Sequence, residues 1–71
     1  MELRYLIENF NFDGTVVIKE WSERHQRYAK HMEWDNMSFL QQEKCKDREV
    51  LYIYAEYYDC RPALIIELAV D

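Results

Sequence analysis

The sequence predicts an α+β fold of two layers, ββαββ, in which a four-stranded antiparallel sheet carries one kinked helix or two short helices on one face. Three observations lead to it. Residues 15–21 and 50–70 are rich in β-branched and aromatic side chains, the latter in alternation. Asp13-Gly14 and Asp59-Cys60-Arg61-Pro62 carry turn chemistry. Between the two β-rich ends, residues 22–48 contain no glycine or proline and consist mostly of helix formers. The whole of residues 1–71 is then one domain: hairpin 3–21, helical segment 22–48, hairpin 50–70.

In the first hairpin, Leu3 to Phe10 alternates, with Leu3, Tyr5 and Ile7 on one side and Arg4, Leu6, Glu8 and Phe10 on the other. Asp13-Gly14 follows, and a tight hairpin turn needs the positive φ that glycine tolerates. Thr15-Val16-Val17-Ile18 is β-branched throughout, as suits a return strand to Trp21.

Ser22 stands where a helix N-cap belongs, with Glu23 in the first turn. Trp21, Tyr28, Met32 and Trp34 lie near helical period and, with Phe39 and Leu40, are expected in the core. The pattern weakens at Asp35-Asn36, and Ser38-Phe39-Leu40-Gln41 reads as a capping box. Two helices, broken between Asp35 and Met37, are preferred over one.

Val50 to Tyr58 holds four of the six tyrosines within seven residues. At strand period Leu51, Ile53, Ala55 and Tyr57 face one side, expected as core, and Tyr52, Tyr54, Glu56 and Tyr58 the other. Pro62 is excluded from interior ladder positions and so marks the start of the last strand. There Leu64, Ile66, Leu68 and Val70 oppose Ala63, Ile65, Glu67 and Ala69. With helices on one side only, the tyrosine face is left open.

A domain of 71 residues buries only about 60% of its unfolded surface and is marginal alone, so covering a further face would stabilise it. Net charge is −5. Residues 1–21 contribute −2 (two basic, four acidic), residues 22–49 zero (six of each) and residues 50–71 −3 (one basic, four acidic). The β-rich ends are therefore acidic. Direct nucleic-acid binding is not expected, because each phosphate contact needs a cation. A basic partner is favoured by electrostatic steering.

No catalytic, metal or nucleotide motif is present. His25 and His31 are six residues apart, about 120° around a helix, and with Cys45 and Cys60 they lack zinc-site spacing. A single glycine excludes glycine-rich phosphate loops. No enzyme, cofactor or metal is expected. Both cysteines are expected as free thiols, and Arg24, Arg27 and Lys30 as a solvated helix face. Met1-Glu2-Leu3-Arg4 has no basic or apolar leader character and no run reaches membrane-spanning length, so a cytoplasmic location is expected.

The open sheet face remains. Its expected surface is Leu6, Phe10, Tyr52, Tyr54, Tyr58 and Ile65 among Glu8, Glu56 and Glu67. Tyrosine is a good strand former and can simply decorate a sheet, yet an aromatic patch rimmed by acids has the composition of an interaction surface. The partner-binding residues read from the sequence are Glu8, Tyr52, Tyr54, Glu56, Tyr58, Asp59 and Glu67. In size, acidity and lack of catalytic motifs the chain resembles the small phage and mobile-element inhibitors of host defences, the anti-CRISPR class included. That resemblance implies stoichiometric binding to the basic surface of a nucleic-acid-binding effector, in the host cytoplasm, as a partial nucleic-acid mimic. A homodimeric assembly or regulatory protein, closed across the same face, is the alternative.

Overall fold

Leu3, Leu6 and Ile7 recur at helical spacing while Leu3, Tyr5 and Ile7 alternate, and only the first pattern is used. In a computed structural model, which describes residues 1–71, Leu3–Asn9 forms helix α1 with Leu3 and Leu6 buried. The expected first strand is thus a helix, and Asp13-Gly14 is a bend in the connection to β1 (Thr15–Ser22), with Gly14 at φ 120°. An eight-residue segment fits both periods, and a helix places Leu3 and Leu6 together against the sheet. The Leu3 amide donates to the Arg48 carbonyl and the Val50 amide to the Met1 carbonyl, anchoring the N-terminus 3.0 and 2.7 Å from those partners.

The expected helical segment 22–48 is largely something else. Its first part is β2 (Arg27–Glu33), which returns antiparallel beside β1. Ser22 does cap backbone amides, since its Oγ accepts from the His25 amide at 3.1 Å, but it closes a turn and starts no helix. The Asp71 carboxylate accepts from Ser22 Oγ at 2.8 Å and from the Glu23 amide at 2.9 Å. Gln26 takes positive φ, 53°, to complete the reversal without glycine. Pairing with β1 overrides the helical propensity of Arg27 to Glu33, as long-range pairing commonly does.

A 3₁₀ turn (Trp34–Asn36) leads to α2 (Phe39–Lys46). The capping box at Ser38 forms as expected: the Gln41 amide donates to Ser38 Oγ at 3.2 Å, and the Ser38 amide to Gln41 Oε1 at 2.8 Å. However, α2 buries Cys45, while Phe39 and Leu40 are about 70% exposed and do not join the core.

The last hairpin forms as expected, β3 (Val50–Tyr58) against β4 (Arg61–Ala69), through a two-residue turn in which Asp59 and Cys60 have φ of 53° and 62°. Strand order is β2-β1-β4-β3, with β1 and β4 parallel. The fold is α+β with two helices on one face of a four-stranded sheet, and the sheet is mixed where an antiparallel one was expected. Because β2, the 3₁₀ turn, α2 and β3 intervene between β1 and β4, the chain has the length a parallel crossover needs.

The main core joins Leu3 and Leu6 of α1, Cys45 of α2 and Met37 to Ile18, Ile66 and Leu68 of the sheet. Its placement corrects the expected core of the tyrosine strand. Leu51, Ile53, Ala55 and Tyr57 are exposed, Tyr57 by 77%, since the helices are packed with β1 and β4 and leave the edge strand β3 uncovered.

Candidate protein-binding face

The face away from the helices is built by alternation. Val17, Lys19 and Trp21 of β1 project to it, and pairing brings Glu33, His31 and Tyr28 of β2 alongside them. From β4 come Arg61, Ala63, Ile65 and Glu67, opposite Tyr58, Glu56, Tyr54 and Tyr52 of β3. Of the sequence-expected residues, Tyr52, Tyr54, Glu56, Tyr58 and Glu67 therefore do share one surface. Asp59 lies in the adjoining turn. Glu8, together with Leu6 and Phe10, does not belong here: α1 packs on the opposite side of the sheet, where Arg4 lies 3.9 Å from Glu8. Ile65, expected outward as part of a patch, is buried in the floor.

Two β-bulges set the orientation at one end. Glu20 pairs with Lys30 and Trp21 with Tyr28, leaving Ala29 as the extra residue of β2. Val50 pairs with Leu68 and Tyr52 with Glu67, leaving Leu51 as the extra residue of β3. Without that second bulge Val50 and Tyr52 would share a face, and with it Val50 packs on the core while Tyr52 stays on the tyrosine side.

The face is concave. In a flat sheet the outer strands would stand about 14 Å apart, three strand spacings. The His31 and Tyr58 rings, on opposite edge strands, nevertheless lie 5.0 Å apart centroid to centroid, and Arg61 Nη2 meets Glu33 Oε1 at 2.6 Å. Val17, Ala63 and Ile65 form a second small core beneath Tyr54 and Tyr58.

Glu67, 7% exposed, is the polar centre. Tyr28 donates its hydroxyl to Glu67 Oε1 at 3.1 Å, and Tyr54 donates to Oε2. Lys19 Nζ in turn donates to the Tyr54 hydroxyl at 3.3 Å and lies 3.8 Å from Glu56. The same ammonium sits 5.2 Å from the Tyr28 ring centroid and 5.8 Å from that of Tyr54, within cation–π range. Burial first, and then the hydrogen bond to Glu67, raise both phenols above the ordinary tyrosine pKa. They are thus fixed as neutral donors.

Sequence reasoning missed Lys19, Tyr28, His31, Glu33 and Arg61. Lys19 was legible as the middle of the alternation Val17, Lys19, Trp21, whereas the β2 residues depended on a strand that local propensity hides. The face thus carries Lys19 and Arg61 against Glu33, Glu56 and Glu67, and of the two carboxylates in ion pairs Glu56 is the more exposed. No cluster of three or more histidine, cysteine or acidic side chains is arranged to hold a metal ion. No helix is long and apolar enough to cross a membrane. No protein-family profile, curated protein or solved structure matches the chain.

Proposed function

We propose that the chain is a non-catalytic protein-binding module, and that its concave tyrosine and carboxylate face receives a basic surface of a partner protein. The observation that carries this reading is the hydrogen-bonded set Tyr28, Tyr54, Glu67 and Lys19, which holds large amphipathic rings in place before any partner arrives. Rigid tyrosines supply contact area at small entropic cost, and preorganisation removes part of the cost of association. The net charge of −5 steers a basic partner towards the chain. Within this class the inhibitor reading is preferred: a stoichiometric binder of a basic nucleic-acid-binding effector, acting in the cytoplasm, with Tyr52, Glu56 and Asp59 at the rim in contact with its cations.

Glu56→Lys tests the charge element. Association with the captured basic partner slows and loses salt dependence; unchanged kinetics would remove the charged face from the interface.

A second reading, self-assembly, is favoured by a separate observation. Strand β3 is a nine-residue sheet edge without proline or lysine, the usual guards of such edges, and its residues Ile53 and Tyr57 are 42% and 77% exposed. Under this reading a second copy pairs along β3. Sedimentation of wild type and Ile53→Lys across a micromolar concentration series decides it, since only a β3-paired dimer is split by the lysine.

A further inference from the structure

Between the two bulges lies a notch of about 260 Å³, lined by Trp21, Tyr28, Leu51, Tyr52 and Glu67. Its volume is several times the roughly 30 Å³ share of one water molecule in the liquid. Each bulge supplies one wall. The bulge at Ala29 aligns Tyr28 with Trp21, whose rings meet edge to face at 5.0 Å and 68°. The bulge at Leu51 turns Tyr52 over Glu67 from the other side. Bulges recur where a strand must re-aim a side chain, and here two of them act on one notch.

We propose that this notch takes the cationic head of a lysine or arginine side chain from a protein partner, a refinement that rests on the protein-binding reading above. Three aromatic rings and a carboxylate line one small volume, the combination of side chains that recognises ammonium and guanidinium groups. The same ring system already accepts a cation from within, since Lys19 Nζ lies over Tyr28. No basic side chain of the chain itself lines the notch. Of the lining residues, Glu67 carries a negative charge, and the Glu23 carboxylate accepts from Trp21 Nε1 at 3.1 Å. A cation therefore enters a site whose one charged lining residue is a carboxylate. Glu67, with both oxygens engaged by phenols, retains further lone pairs for an N–H donor. Tyr52, 66% exposed, is free to close on the guest.

The test uses tetramethylammonium and the amide of N-acetylarginine as probes, with tert-butanol as the neutral isostere and sodium chloride to hold ionic strength constant. Trp34→Phe leaves Trp21 as the one indole for fluorescence, and amide and methyl NMR shifts on the unmodified chain provide a second readout. Saturable binding of both cations, weak and on the order of millimolar, is expected, with shifts centred on Trp21, Leu51 and Tyr52. Tyr52→Ala should weaken it about 2- to 5-fold, the range of one exposed cation–π contact, while Tyr52→Leu, which keeps apolar area, should not restore it. No saturation, an equal response to tert-butanol, or indifference to both Tyr52 variants overturns the proposal. Because Glu56 does not line the notch, a partner that responds to Glu56→Lys while the probes fail to bind leaves the protein-binding reading standing and removes the notch. Probes that bind while no basic protein does would remove the reading instead.

Discussion

Tyr28, on the outermost strand β2, donates its hydroxyl to Glu67 on β4, two strands away, at 3.1 Å. Tyr54, on β3 next to β4, donates to the other oxygen of the same carboxylate. Side chains from the two edge strands thus converge on one buried acid, and that convergence accompanies the curvature of the sheet. The tyrosine face consequently has a floor fixed by hydrogen bonds from both edge strands.

Replacing Glu67 by Gln should therefore cost stability through more than one strand. The amide offers one acceptor oxygen to two phenols and removes the charge that strengthens both bonds, so a loss of about 1–3 kcal/mol is expected. Urea unfolding measures it as a lowered midpoint at unchanged slope. In Tyr28→Phe/Tyr54→Phe the additional effect of Glu67→Gln should shrink, because its partners are already gone.

Alkaline pH provides an independent check on the same bonds. Tyr54 has its pKa raised in the folded protein, by burial and then by Glu67, from an ordinary value of 10.0. A raised folded-state value means that the contribution is intact below pH 10 and is lost as pH climbs above it towards the folded pKa, since the unfolded chain then ionises more readily. Stability should fall above about pH 10, and less steeply in Tyr54→Phe. Equal slopes for the two proteins would mean that Tyr54 is not held as a buried donor.

The two cysteines should differ sharply in reactivity. Cys45 is buried, and its thiol is pushed up to about 11, first by burial and then by the charge of Glu20, whose Oε1 its Sγ contacts at 3.5 Å. Cys60 is exposed in the β3–β4 turn. The thiolate is the nucleophile, so a colourimetric disulfide reagent at pH 8 should titrate one thiol in the native protein and two in urea. Rapid native reaction of both would contradict the buried Cys45.

Ser38→Ala removes one side of the capping box that opens α2. A loss of about 1 kcal/mol is expected, or about 4–8 °C in melting temperature for a domain of this size. Thermal circular dichroism reads it directly. Ser22→Ala, which removes the acceptor of the His25 amide and one of the donors to the Asp71 carboxylate, should instead perturb Trp21 and Tyr28 spectroscopically.

What the sequence determined by itself is local. Thr15 to Trp21 as a strand, the capping box at Ser38, and the hairpin of residues 50–70 follow from branching, a four-residue motif and a tight turn. That hairpin also put Tyr52, Tyr54, Glu56 and Tyr58 on one face with Glu67, because a short connection leaves little freedom of register. Tertiary structure decided the rest. Leu3 to Asn9 satisfies two periods, and contact with Ile66 and Leu68 across the core selects the helical one. Arg27 to Glu33 holds Tyr28 among residues that mostly favour helix, and becomes a strand by pairing with β1. Alternation along β3 distinguishes two faces without saying which is covered, and the helices, packed with β1 and β4, leave Ile53 and Tyr57 in solvent. The bulges at Ala29 and Leu51, and with them the notch over Glu67, arise only when strands pair, since a bulge is a property of two strands and is written in neither alone.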